Sequence, residues 1–238
     1  MSSLFIVVAS TLLAGLAMPL GAAIANARSL KSDGLETEFR HSVMAFGGGA
    51  LLSAVALVLV PEGITNLSTA VASLVFVMGG FCFMAIDMVL DKINTPASQL
   101  AAMLSDFIPE SIALGAAFAT NSETAFLLAA LIALQNLPEG FNAYRELNGP
   151  VVTYSARRVI LLFALMALLG PIAGVSGYLW LHQYPVLVSV VMLFASGGIL
   201  YSIFQDIAPQ VKLKNHYAPP MGAVLGFVLG LAGLMLTN

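Results

Sequence analysis

Two polar motifs stand in successive apolar stretches of the chain: Asp106-Phe107-Ile108-Pro109-Glu110 and Gln135-Asn136-Leu137-Pro138-Glu139. In each, two oxygen-bearing side chains lie four residues apart, a spacing that puts them on one face of a helix. An acid inside a long apolar run is costly, so a pattern that repeats it marks a functional site. If the two helices pack antiparallel, Asp106, Glu110, Gln135 and Glu139 converge near the membrane midplane as a cage of oxygen donors for a cation. Pro109 has no N–H for the carbonyl of Ser105, and Pro138 has none for that of Leu134, so each motif kinks its helix and frees a backbone oxygen. Carboxylates gathered around one point repel one another until protons or a metal ion neutralise them. An all-oxygen set suits Mg, Ca, Mn and Fe(II); zinc draws more often on His or Cys, though it accepts carboxylates.

Other polar groups have smaller roles in this reading. Asn136 and Asn142 share the second motif's segment, and Asn136 either faces the cage or bonds a neighbouring helix. Asp206, with Gln205 beside it, is the strongest candidate for an inner exit site. Asp87, Asp91 and Glu62 lie near the ends of apolar runs, where a carboxylate reaches water. His41, His182 and His216 are expected at the surface, and the scattered methionines in packing. No His-Glu-x-x-His motif is present, and no histidine stands at a span centre to serve a nucleophilic serine, so an intramembrane protease is excluded. Neither an organic cofactor nor a nucleic-acid partner is expected.

The elements that must position these residues are membrane spans. The chain has 238 residues, 59% of them hydrophobic and only 9% charged, against about 25% charged in a soluble domain. Its net charge of −3 says little, and the lone Cys82 cannot form an intramolecular disulfide. A span needs roughly 20 mostly apolar residues. Eight such stretches are expected: Leu4–Ala25, His41–Val60, Thr69–Leu90, Leu100–Thr120, Ala125–Tyr144, Val159–Leu181, Val186–Ala208 and Pro219–Leu236. All nine basic residues fall beside alternate connections, after the first, third, fifth and seventh spans. Basic residues mark the cytoplasmic side, which places both termini outside. No basic region precedes the first span, so no cleavable signal is expected, and the longest connection, Ala27–Arg40, is too short for a second domain. The expectation is one all-α, polytopic transmembrane domain over residues 1–238, in a bacterial inner membrane.

An internal symmetry is visible as well. The second span contains Gly49-Ala50-Leu51-Leu52 and ends at Pro61; the seventh contains Gly197-Gly198-Ile199-Leu200 and ends at Pro209, with the same glycine-to-proline spacing. The two spans run in opposite directions, as in the inverted repeats of transporters.

With Pro-Glu motifs in the fourth and fifth spans, the chain resembles a divergent bacterial-type member of the ZIP (Zrt/Irt-like) family of divalent-metal transporters. In that family the fourth span typically reads His-Asn-x-Pro-Glu-Gly. Here Asp106 and Phe107 stand at the first two positions, Pro109 and Glu110 match, and Ser111 replaces the glycine. Gln135, Asn136, Pro138, Glu139 and Gly140 fit the family's range for the fifth span. Pro61-Glu62, and Asp206 followed by Pro209, resemble the ends of its second and seventh. The resemblance implies a three-two-three arrangement of spans, elevator-like alternating access, frequent homodimers, and zinc, iron or manganese carried toward the cytoplasm as substrate. Phe107 removes a ligand of the family's second metal site, so one principal ion is expected. Two alternatives stay open: a metal exporter, and a metal-binding relative that no longer transports.

Overall fold

A computed structural model describes residues 3–27, 33–93, 96–120, 124–148, 154–213 and 216–237. Arg28, Lys31 and Lys214, counted in the charge argument, lie outside them. The described residues are mostly helical, with no strand among them. α1 is Ser3–Ala27 and α2 is Asp33–Ala54; a π-helical turn at Val55–Leu59 joins α2 to the short α3, Val60–Gly63. α4 is Thr69–Ile93, α5 Pro96–Ala119 and α6 Ala125–Leu147. α7, Ala156–Ala167, and α8, Leu169–Trp180, make one rod interrupted at Leu168. α9, Pro185–Ser202, passes through a second π-helical turn at Ile203–Ile207 into α10, Ala208–Gln210, and α11 is Ala218–Thr237.

Among the described residues six helical stretches are long and apolar enough to cross a membrane: Ser3–Ala27, Thr37–Gly63, Thr69–Ile93, Ala156–Trp180, Pro185–Gln210 and Ala218–Leu236. The two helices that carry the motifs, α5 and α6, are not among these six. The bundle is apolar on its outside, with Leu74, Val77, Met78 and Phe81 of α4 and Leu225, Met235 and Leu236 of α11 all exposed. Water penalises such a surface and a lipid environment does not. The chain is therefore read as a membrane-embedded helical protein.

The π turns explain how two helices survive a proline. The rings of Pro61 and Pro209 clash with the carbonyl four residues back. Widening the turn removes the clash: the N–H of Val60 reaches the carbonyl of Val55, and that of Ala208 reaches Ile203.

Helix partners come in matched pairs. α2 packs on α11 as α9 packs on α4, and α1 packs on α6 as α8 packs on α5. Glycines set the registers. In the α2–α11 crossing Gly49 lies on the carbonyl of Ala223 and Gly226 on that of Phe46; in the α9–α4 crossing Gly197 lies on Phe76 and Gly79 on Phe194. In the α1–α6 crossing Gly21 lies on the carbonyl of Leu137 and Gly140 on that of Met18; in the α8–α5 crossing Gly177 lies on Ile112 and Gly115 on Gly174. At each of these places a Cβ would run into backbone.

Candidate functional site

The α1–α6 and α8–α5 crossings fix which motif residues face one another. Leu137 and Ile112 occupy equivalent places, so counting back two residues from each makes Gln135 and Glu110 equivalent. These two side chains meet. The Nε2 group of Gln135 donates to Glu110 Oε1 at 2.8 Å and Oε2 at 2.7 Å, and both residues are buried. Asp106 and Glu139 each lie one turn away, toward the N-terminus of α5 and the C-terminus of α6, which is the same end of the bundle. One turn in the other direction stand Leu114 and Leu131, both fully buried. The site therefore has two layers, a hydrogen-bonded amide–carboxylate pair and a pair of acids, with a dry apolar plug above them.

Below the plug a cavity of about 300 Å³ runs from Gln135 to the helix ends at Asp91 and Gln210. Its walls carry five acids, Asp87, Asp91, Asp106, Glu139 and Asp206, together with the amides of Gln135, Asn142, Gln205 and Gln210. Among the described residues no Lys, Arg or His is in its lining. Gly47 and Gly48 form part of the wall because they let α2 approach closely: a Cβ on Gly47 would lie 2.6 Å from Pro138 Cγ, and one on Gly48 2.8 Å from Ile207 Cγ2. Ser202 donates to Asp106 Oδ1 at 3.3 Å. Two hydrogen bonds join helices at the opposite end of the bundle. Thr124 donates to Glu62 Oε1, and Asn66 donates to Ser189 Oγ at 3.2 Å.

The expected four-residue cage is thus only partly assembled. Asp106, Gln135 and Glu139 reach the cavity; Glu110 does not line it and is held behind Gln135. Asn136 is fully buried and also off the cavity, its Nδ2 donating to the carbonyl of Ala14 in α1 at 2.9 Å. Of the two roles expected for Asn136, the bond to a neighbouring helix is the one seen. Asp206 lies in the cavity wall on the second π turn. Among the described residues no three His, Cys, Asp or Glu side chains form a ready-made metal shell.

Three wall residues went under-weighted in the sequence. Asp87 and Asp91 are four apart on one face of α4, and Asn142 lies seven residues beyond Gln135, two helical turns along the same face. His41 departs from its expected surface place. α2 begins at Asp33, so His41 lies two turns inside it, buried, with Nδ1 2.6 Å from the carbonyl oxygen of Thr37. His216 pairs with Glu38 at 3.3 Å, and the side chain of His182 is outside the described residues. No protein-family model matches this sequence, and no curated protein matches it.

Proposed function

We propose that the chain is a secondary carrier that moves a divalent metal cation toward the cytoplasm by alternating access. The observation that carries this reading is the acid-walled cavity, which has five carboxylates and, among the described residues, no basic side chain. A cavity of one sign concentrates counter-ions, and low-dielectric walls strengthen the effect. The ion sits at the acid pair Asp106–Glu139, with the oxygen of Gln135 above it. Water completes the shell in a cavity of this size, in keeping with the absence of a preformed protein cage among the described residues. Asp206, Asp87 and Asp91 continue the acidic wall to the mouth and serve the ion's exit.

The matched crossings support an inverted repeat in which the first three spans correspond to the last three around a central pair, the three-two-three arrangement implied by the ZIP resemblance. The two π turns support the same correspondence, since Val55–Leu59 and Ile203–Ile207 stand in the same relation to Gly49 and Pro61 as to Gly197 and Pro209. Eight spans follow when the motif helices are counted with the six apolar ones. Arg40, Lys92, Arg145, Arg157, Arg158 and Lys212 then mark the cytoplasmic side. The cavity mouth opens there, and both termini lie outside. A homodimer in the inner membrane belongs to this reading.

Reconstitution in liposomes tests it. Wild-type protein is expected to accumulate Zn, Mn or Fe(II) down a gradient, and Glu139→Gln to slow uptake at least tenfold. Uptake no faster than through protein-free liposomes refutes it.

A further inference from the structure

The Glu110–Gln135 pair carries a further inference, which rests on the carrier reading above. We infer that Glu110 is a positioning residue: its carboxylate turns the Gln135 amide so that Oε1 is presented to the ion, and Glu110 itself is not a ligand. The amide offers its Nε2 group to Glu110. The structure shows that bond to both carboxylate oxygens, at 2.8 and 2.7 Å. The other end of the amide has no hydrogen-bond partner although its oxygen is buried. A buried acceptor without a partner is unfavourable and calls for a donor or a cation. Gln135 lines the cavity and Glu110 does not.

The charge balance agrees. Two carboxylates neutralise a divalent ion, and a neutral amide oxygen adds a ligand without adding charge. A third carboxylate in the shell would leave a net negative site at depth, which is costly. The equivalence of Glu110 and Gln135 in the two crossings explains how they meet. They sit at the same depth on antiparallel helices, where neither can reach the acid layer without leaving the other.

The test compares Glu110→Leu, Glu110→Gln and Glu139→Gln, with cobalt(II) and zinc as probes and difference infrared spectroscopy of the carboxylates as a second readout. A leucine side chain cannot hold the amide, so Glu110→Leu is expected to lower affinity at least tenfold. A glutamine side chain still offers a carbonyl to Nε2, so Glu110→Gln is expected to recover most of that loss. Metal-induced shifts of the carboxylate stretch are expected to persist in Glu110→Gln and to lose amplitude in Glu139→Gln. If Glu110→Gln binds as poorly as Glu110→Leu and loses the same infrared bands as Glu139→Gln, Glu110 is a ligand and this inference falls while the carrier reading stands. If wild-type protein binds neither metal, both fall together.

Discussion

Replacing Gly140 by alanine tests whether the α1–α6 crossing holds the acid layer in place. A Cβ at this position would lie on the carbonyl oxygen of Met18 and 2.7 Å from both Met18 C and Met18 Cα. Non-bonded carbons keep about 3.5–4.0 Å apart, so the helices must separate by roughly 1 Å. The obstruction is backbone, so a rotamer change cannot relieve it. Overpacking of this kind costs about 1–3 kcal/mol. Glu139 precedes Gly140 in the chain and shifts with it. Metal–oxygen distances tolerate about 0.2 Å of error, so a displacement near 1 Å removes a ligand. Gly140→Ala is therefore expected to lower the melting temperature by several degrees and weaken metal binding at least tenfold, about 1.4 kcal/mol. Gly80→Ala is the control: its Cβ meets only the carbonyl oxygen of Gly197, at an ordinary 3.5 Å. Calorimetry and metal titration in detergent measure both. If Gly140→Ala behaved like Gly80→Ala, close packing of α1 on α6 would not set the site's geometry.

Other outcomes follow from the acid layer. Asp106→Asn removes one of the carboxylates gathered in the cavity wall, so the metal-free protein is expected to melt higher than wild type while the stabilisation given by added metal shrinks, as paired thermal scans would show. Asp106→His is expected to raise affinity for zinc relative to manganese, because imidazole is the better zinc ligand; competition binding reads the ratio. The ion and protons compete for the same carboxylates, so apparent affinity falls as the medium becomes acidic and binding releases protons, which calorimetry in buffers of different ionisation enthalpy detects.

Much of this was legible in the sequence because the membrane makes polarity conspicuous. Asp106 and Glu139 stand out in apolar runs, and both line the cavity. The shared glycine-to-proline spacing in the second and seventh spans marks the two places where π turns form. Sequence spacing did not separate the motif into layers. The i, i+4 rule puts Asp106 with Glu110 and Gln135 with Glu139, but the depth at which the helices cross is set by Gly140 against Met18 and Gly115 against Gly174, a long-range register. That register pairs Glu110 with Gln135 and leaves the acids one turn below. Asn136 drew attention as a neighbour of Gln135, yet consecutive helical residues point about 100° apart, and its side chain is spent on Ala14 of α1. His41 was misplaced because its helix starts eight residues earlier than the apolar run that signalled it, at Asp33.

The most direct test of the proposed mechanism is where the ion sits. Crystals or frozen grids of the protein loaded separately with zinc, manganese and iron(II), with anomalous scattering for the crystals, would locate it. One principal ion is expected, touching Asp106, Glu139 and the Gln135 oxygen, at about 2.0–2.2 Å for zinc. An ion bound away from Asp106 and Glu139, or no ion in the cavity at saturating metal, would contradict the mechanism.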